Sequence, residues 1–316
     1  MYNVVALGEL LIDFAPVSTD ENGYPTLAAK PGGAPTNFLA ALTKYGAKTA
    51  LLSKVGNDAF GKLLIKTTAD VGIETSGIAR DDTVFTTLAF VTLDEFGERS
   101  FSFARKPGAD ICIKYEELDL SLIDNTEIFH FGTLSLTNEP AKSATIKAVE
   151  YAKNAGKLIT FDPNLRESLW DCLENAKAQI LWGLEHADIV KISDDEVKFL
   201  WGCDEHIGAE KLLNEYNVKL AMVTCGAKGA LLQTTKTSAF AKCPQVKQVD
   251  TTGAGDIFGG SAISRFLKIG KNPEDLCDRD LEGIAKFATT AASLSTEKFG
   301  GILSVPDEPD VLALTK

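Results

Sequence analysis

Asp250-Thr-Thr-Gly-Ala-Gly-Asp256 leads directly into Ile257-Phe-Gly-Gly-Ser-Ala-Ile-Ser-Arg-Phe-Leu267. The glycines and alanine permit a tight turn, and apolar residues at helical spacing follow, so the sequence predicts a helix that begins here. The first N–H groups of a helix have no partner within it, and the helix dipole adds positive charge at that end. We therefore predict an anion site formed by the backbone of Gly253, Ala254, Gly255 and Asp256.

The acid inside this predicted anion site is the informative residue. Asp256 would lie beside a bound phosphate, where it could accept a proton from a hydroxyl group that attacks the phosphorus. A first-turn acid that only complements the helix dipole explains the same residue type. Spacing alone leaves both interpretations open.

Composition and charge limit the classes of partner. The chain has 316 residues, 45% of them hydrophobic, with a net charge of −12. This charge argues against nucleic acid and anionic membrane surfaces, which require a basic face. A polyanion such as ATP must then be held by backbone N–H groups, a divalent cation and a few basic side chains. No apolar run approaches the ~18 residues of a membrane helix, and the N-terminus resembles no secretory signal, so we expect a cytoplasmic protein.

Short apolar runs alternate with segments of helical periodicity. Val4–Leu7 reads as a first buried strand whose end delivers Asp13, and a helix from Phe38 is expected to end at Gly46. Further strands are predicted at Thr49–Ser53, Glu127–Phe131, Lys157–Asp162, Ala187–Ser193 and Lys219–Thr224. Helices between parallel strands lie on both faces of the sheet, which predicts a three-layer α/β fold with a mostly parallel central sheet.

Two segments interrupt this alternation. Residues 15–30 are polar and predict a small strand pair outside the main sheet, and residues 83–106 predict a β-hairpin around the turn Asp94–Gly97. Alternation places Phe101, Phe103 and Arg105 on one face of the hairpin. That face is either ordinary packing or the underside of a lid that closes over a polar ligand and excludes water.

Polar residues follow the predicted strands. Ligands of such sheets bind at the carboxyl ends of the strands, where the Asp250 loop must also lie. The residues at these ends are Asp13, Asp162, Arg166, Lys191, Ser193, Thr224 and Gly226. Ser193-Asp-Asp-Glu196 also has a purely structural explanation as a capping box, and Thr224–Gly229 as a turn between strands.

The heptad at Asp250–Asp256 resembles the second signature of the ribokinase-like PfkB family of carbohydrate kinases. Pro31-Gly-Gly-Ala-Pro-Thr-Asn37 resembles the first signature, and the likeness extends from Gly8 to Pro306. Together with Arg105-Lys-Pro-Gly-Ala-Asp110 and Phe161-Asp-Pro-Asn-Leu-Arg166, these motifs are most similar to those of fructokinases. The resemblance implies one ribokinase-like domain over residues 1–316, with a β-strand lid at about 15–30 and 83–106.

The resemblance also implies roles for individual residues. Asp256 would be the catalytic base, with Gly253, Ala254 and Gly255 as the anion hole. The sugar would be held by Asp13, Gly32, Gly33, Asn37, Phe103, Arg105 and Arg166. ATP would be held by Lys191, Ser193, Glu196, Thr224, Gly226 and Gly229. Glu196 would organise Mg²⁺ through water, and Asp250 and Thr252 would bind a monovalent cation, K⁺.

The expected reaction is phosphorylation of fructose by ATP at a primary hydroxyl group. A 2-keto-3-deoxygluconate kinase is the nearest alternative, and ribokinase is more distant. A NAD-dependent dehydrogenase would need Gly-x-Gly-x-x-Gly after the first strand, where Gly8 is instead followed by Glu9 and Leu10. A sugar sensor would have no need for Asp256. A homodimer through the lid is a further expectation.

Overall fold

A nine-stranded sheet forms the centre of the protein in the computed structural model, which describes residues 1–93 and 99–315. Its strand order is β13-β12-β11-β10-β9-β8-β1-β4-β5. The strands are β1 (Tyr2–Leu7), β4 (Thr49–Gly56), β5 (Ile78–Asp81), β8 (Thr126–Gly132), β9 (Leu158–Asp162), β10 (Ile189–Ser193), β11 (Leu220–Thr224), β12 (Ala230–Gln233) and β13 (Ser238–Ala241). Seven neighbouring strands of this sheet are parallel, in the order β11-β10-β9-β8-β1-β4-β5. The other two, β12 and β13, are antiparallel additions at one edge. The predicted mostly parallel sheet is confirmed.

Helices cover both faces of this sheet and complete three layers. They are α1 (Ala34–Lys44), α2 (Ala59–Asp70), α3 (Leu120–Asp124), α4 (Ala141–Asn154), α5 (Leu173–His186), α6 (Asp194–Trp201), α7 (Glu205–Glu215), α8 (Ala254–Ile269), α9 (Asp278–Ser295) and α10 (Glu308–Leu314). Apolar residues of α1, α8 and α9 share one core with one face of the sheet, and those of α4, α5 and α7 share the other. Two buried cores explain why the parallel strands are apolar on both sides.

A second, four-stranded sheet has the order β3-β2-β6-β7. Its strands are β2 (Leu11–Thr19), β3 (Pro25–Gly32), β6 (Leu88–Leu93) and β7 (Arg99–Ala104). The antiparallel pairing of β6 with β7 confirms the predicted hairpin, whose turn at Asp94–Gly97 lies outside the described residues. Phe14 stacks on Phe90 at 5.2 Å and meets Phe60 of α2 edge-on at 5.6 Å. We call this four-stranded sheet the lid; its closure over a ligand stays a prediction.

The prediction for Asp13 needs a correction. The first strand ends at Leu7, and Asp13 lies in β2 of the lid instead of at the end of a core strand. The chain leaves the large sheet at Gly8, where an added Cβ would lie 2.6 Å from Pro35. The apolar run Leu10–Ile12 resembles a continuation of the strand, so the change of sheet is not visible in the sequence pattern.

Glycine permits the close packing of α8 against α1. A Cβ added at Gly260 would lie 2.2 Å from the Phe38 carbonyl oxygen and 2.8 Å from Ala41 Cβ. The helix that begins at the anion site is therefore seated directly on the backbone of α1.

We predict that Gly260→Ala lowers the free energy of unfolding by about 1–3 kcal/mol, because the added methyl group overpacks this contact. Gly283→Ala is the matched control, since nothing lies within 4 Å of its added Cβ on the exposed face of α9. The control should stabilise the protein by about 0.5–1 kcal/mol through helix propensity. Urea denaturation of both variants measures the difference, and equal effects would contradict the proposed packing constraint.

Candidate active site

The carboxyl edge of the large sheet brings the predicted polar residues together. Ser193 at the end of β10 pairs in register with Thr224 at the end of β11, and Asp162 ends the neighbouring β9. The N-terminus of α8 meets the same edge, because a Cβ at Gly255 would lie 3.0 Å from Lys191 Nζ. The predicted convergence of strand ends and the Asp250 loop is therefore observed.

The turn before α8 has the predicted geometry of an anion site. Gly253 is the N-cap residue with φ 78°, and an added Cβ would lie 2.9 Å from Gly301 Cα, so glycine is required on two counts. The Ala254 N–H already donates to the Thr251 carbonyl at 3.2 Å. Among the described residues, the N–H groups of Gly253, Gly255 and Asp256 have no such backbone acceptor. Three of the four predicted donors thus remain for an anion.

Asp256 lies buried in the first turn of α8. Asn37 Nδ2 donates to Asp256 Oδ2 at 2.8 Å and fixes the orientation of the carboxylate. Burial raises the pKa of Asp256, while Lys191, the Asn37 hydrogen bond and Arg166 act to lower it. The site therefore contains a carboxylate that is more basic than an exposed aspartate, next to preformed N–H donors.

Lys191 is a buried cation below this helix N-terminus. Its Nζ lies 3.0 Å from Asp162 Oδ2. Burial acts to lower the pKa of Lys191, but Asp162, Glu196 and Asp256 outweigh it and raise the pKa, so the side chain stays positively charged. Lysine side chains usually lie at the protein surface, but Lys191 is buried.

The larger of two adjoining cavities has a volume of about 640 Å³ and lies beside β10 and β11. All residues predicted for ATP line it, namely Lys191, Ser193, Glu196, Thr224, Gly226 and Gly229. Apolar side chains that the sequence did not single out, including Val246 and Phe258, line the same cavity. A flat aromatic base and a phosphate chain would thus find apolar and polar surfaces in one cavity.

Glu196 combines the predicted capping role with a second contact. Its Oε2 accepts from the Ser193 N–H at 2.8 Å, and the Ser193 hydroxyl caps the Glu196 N–H, which confirms the capping box. Its Oε1 accepts from the Leu165 N–H at 2.7 Å. Oε2 also accepts from the Ser193 hydroxyl at 3.0 Å, whereas Oε1 has one partner among the described residues. Oε1 therefore retains acceptor capacity, and indirect contact with a hydrated cation is compatible with these bonds.

The smaller cavity, of about 400 Å³, lies between α1, the lid and the start of α8. Predicted sugar ligands in its wall are Asp13, Gly33, Asn37, Phe103 and Arg166. Gly32 lies against Asp13, since a Cβ there would be 2.2 Å from Asp13 Oδ2. Arg166, Lys191, Thr251 and Gly255 line both cavities, so the two spaces meet at the anion site.

Arg105, like Gly32, is a predicted sugar ligand that lies outside this lining. It is only 5% exposed, and its Nε donates to Asp110 Oδ2 at 2.8 Å. Its other nitrogens donate to Thr137 Oγ1 at 2.9 Å and to the Leu134 carbonyl at 2.8 Å. Strand alternation could not reveal this partnership, because β7 ends at Ala104 and Asp110 follows a separate turn.

Asp250 and Thr252, predicted for a monovalent cation, line a third cavity of about 290 Å³. Asp250 is buried; its Oδ1 accepts from the Thr252 N–H at 2.8 Å and its Oδ2 from the Gly300 N–H at 3.1 Å. These bonds join the anion loop to the segment after α9. The carboxylate oxygens are hard donors, so the residues present fit a hard cation, and the assignment stays a prediction.

Glu9 is a site residue that the sequence interpretation missed. It is buried in the wall of the smaller cavity, and its Oε1 accepts from the Ala34 N–H at 2.8 Å, at the start of α1. Burial raises the pKa of Glu9 to about 7. The available signal was a charged residue two positions after the end of a buried apolar strand.

Two substrate-sized cavities that meet at an anion site beside a buried carboxylate are the arrangement of a small-molecule phosphotransferase. A family model described as pfkB family carbohydrate kinase matches residues 1–308. The chain is also 41% identical to Fructokinase-1 of Zea mays over 318 residues, which covers 98% of this chain and 97% of that protein. This chain belongs to the pfkB family of carbohydrate kinases.

Solved structures agree with this assignment. Fructokinase with bound ATP from Xylella fastidiosa has a TM-score of 0.90 at 29% identity, covering 99% of this chain and 98% of that one. A fructokinase double mutant from Vibrio cholerae O395, in a form with bound fructose, ADP and potassium ion, has a TM-score of 0.88 at 30% identity, covering 100% and 99%. Within residues 1–93 and 99–315, no helix has the length and apolar character needed to cross a membrane.

We predict that Asp13→Asn stabilises the protein at pH 8 but not at pH 4. Burial raises the pKa of Asp13 from 3.8 to about 7, so the folded state binds a proton more tightly than the unfolded state. The resulting penalty is absent below about pH 4, grows as the pH rises, and is complete above about pH 7. Since Asp13 is partly exposed, we expect a gain of about 1–3 kcal/mol at pH 8.

Chemical denaturation at both pH values measures this effect. Asp82→Asn is the control, because Asp82 is exposed and its hydrogen bond to Asn57 lies at the surface; it should change little at either pH. A gain for Asp13→Asn that is equal at pH 4 and pH 8 would show that ionisation of Asp13 is not its origin.

Proposed function

We propose that the chain is one kinase domain with a lid, and that it transfers the γ-phosphoryl group of ATP to a primary hydroxyl group of fructose. The observation that carries this proposal is the buried Asp256 carboxylate in the wall of the smaller cavity, next to Gly255 where the two cavities meet and beside the N–H donors of α8. In that position one side chain can reach the acceptor while the backbone holds the group that is transferred. The fructokinases to which the chain is similar support fructose as the acceptor.

In the proposed reaction, the smaller cavity binds the sugar and the larger one binds ATP. Asp256 orients the primary hydroxyl group and accepts its proton as the oxygen attacks the γ-phosphorus. The bond from the γ-phosphorus to the bridging oxygen breaks, and ADP leaves with that electron pair. Donors from Gly253 and Gly255, with Arg166 at the junction, would stabilise the charge spread over the transferring group.

The wall of the smaller cavity suits a polyhydroxyl ligand. Asn37 Oδ1 is buried and accepts no hydrogen bond from the described residues, and a sugar hydroxyl could supply the missing donor. Asp13 and Gly33 belong to the same wall, and Phe103 of the lid also lines the cavity. Fixed carboxylate and amide groups select hydroxyl positions by direction.

Two cations are part of the proposal. Mg²⁺ would neutralise charge on the phosphates of ATP, with Glu196 holding it through water. Asp250 and Thr252 would hold K⁺ behind the anion site, and the bonds that join Asp250 to Thr252 and Gly300 support the idea that this carboxylate shapes the loop.

We also propose that the protein acts in the cytoplasm and forms a homodimer through the lid. The free cysteines Cys112, Cys172, Cys203, Cys225, Cys243 and Cys277 suit a reducing compartment. Exposed apolar side chains of the lid region, Val17 and Tyr24, support the dimer, since burial in a partner would remove them from water.

A phosphate-transfer panel with labelled ATP tests the acceptor. We expect kcat/KM for fructose to exceed the values for 2-keto-3-deoxygluconate, ribose and adenosine by at least about tenfold, or 1.4 kcal/mol. A better acceptor than fructose among the other three would contradict the proposal.

We predict that Asp256→Asn lowers kcat by about 10²–10⁴-fold, because the amide cannot accept the hydroxyl proton. ATP affinity, measured by calorimetry, should change little. Asp280→Asn is the matched control, since Asp280 is a first-turn acid of α9 that bonds to Cys277 and Lys271. Turnover of Asp256→Asn at the rate of the parent would remove Asp256 from the mechanism.

A further inference from the structure

The buried ion pair of Arg105 and Asp110 lies next to Leu134, a residue that lines the smaller cavity. Both residues are 5% exposed, and Arg105 Nη2 lies 2.6 Å from Asp110 Oδ2. The second oxygen of Asp110 accepts from the Thr87 hydroxyl. The turn that joins the pair is tight, since a Cβ at Gly108 would collide with Thr87 Oγ1. The carboxylate of Asp110 is thus held by bonds at both of its oxygens.

The pair is close enough to influence what the cavity binds. Arg105 donates to the carbonyl of Leu134, which is a lining residue of the cavity, and Phe103 lines it two residues earlier in the chain. Glu9 in the cavity wall responds to both partners, because Arg105 acts to lower its pKa and Asp110 acts to raise it. Asp110 therefore offsets the positive charge that Arg105 contributes at the cavity wall.

The remaining charges of the cavity are distributed unevenly. Carboxylates in its described lining are Glu9, Asp13 and Asp256, whereas its cationic lining residues are Arg166 and Lys191. Both cations also line the larger cavity, and Lys191 is paired with Asp162. Within the described lining, three carboxylates therefore stand against two cations.

We propose that Asp110 determines specificity by cancelling the charge of Arg105, so that the cavity accepts a neutral sugar and rejects a sugar acid. This inference rests on the proposed function, of which it specifies the acceptor class. A carboxylate on the sugar would enter a cavity whose described lining holds more carboxylates than cations, and like charges in a buried site are costly. With Asp110 neutral, Arg105 would carry uncompensated charge behind Leu134 and would attract that carboxylate.

The test compares binding of fructose and 2-keto-3-deoxygluconate by calorimetry in the presence of a non-hydrolysable ATP analogue. For each variant the readout is the ratio of Kd for the sugar acid to Kd for fructose. In Asp110→Asn this ratio should fall at least tenfold. In Arg105→Gln, where Asp110 is left unpaired, it should rise at least threefold. The double variant, with both charges removed, should stay within twofold of the parent.

Asp188→Asn is the matched control, because Asp188 also belongs to an ion pair, with Lys219, but at the opposite edge of the sheet. Its ratio should equal that of the parent. An unchanged ratio in folded Asp110→Asn would overturn the inference. The inference would also be overturned if the ratio fell in the double variant as much as in Asp110→Asn, because that result would indicate a loosened cavity wall and no effect of charge. If Asp110→Asn does not fold, Arg105→Gln decides, and a ratio that does not rise overturns the inference.

Binding also separates this inference from the proposed function. A parent protein that binds fructose and the sugar acid equally would overturn the inference even if it phosphorylates fructose. A parent that binds fructose selectively but transfers phosphate to no sugar would contradict the proposed function and leave the role of Asp110 intact.

Discussion

The structure depends on a carboxylate buried at the positive end of a helix. Asp256 is held by Asn37 from α1 and lies near Lys191 from β10, so the helix, a neighbouring helix and the central sheet all meet at this group. Burial raises the pKa of Asp256, and the nearby positive charge of Lys191 limits that rise, so the carboxyl group can still ionise. In the proposed reaction, Asp256 would act as a proton acceptor near neutral pH only while these neighbours stay in place.

Several costly features of the fold are explained by this requirement. A buried lysine is unfavourable unless it is paired, and Lys191 meets this condition through Asp162 at 3.0 Å. The tight seat of Gly260 on the backbone of α1 keeps α8 close to the helix that carries Asn37. Gly253, in the left-handed region, turns the chain into α8, whose first turn lines the shared end of both cavities at Gly255. These features lower stability locally, at the place where we propose that the phosphate and the sugar meet.

Local pattern was enough to predict most of the fold. The apolar strands, the helix at Ala254, the hairpin at β6–β7 and the capping box at Ser193 depend on residues that are close in sequence, and each is confirmed. The placement of Asp13 in the lid could not be predicted, because the same apolar run fits either sheet. Contacts between distant segments, such as Arg105 with Leu134, leave no periodic signal. The candidate site was predictable as a set of strand-end residues, whereas their pairing, burial and charge balance required the structure.

A crystal structure with fructose and a non-hydrolysable ATP analogue tests the central claim most directly. We predict that the γ-phosphate lies within hydrogen-bond distance of the Gly253 and Gly255 N–H groups. We also predict that a primary hydroxyl of the sugar lies between that phosphorus and Asp256, at about 3 Å from the carboxylate. A terminal phosphate bound away from the start of α8, or a sugar hydroxyl directed to another residue, would contradict it.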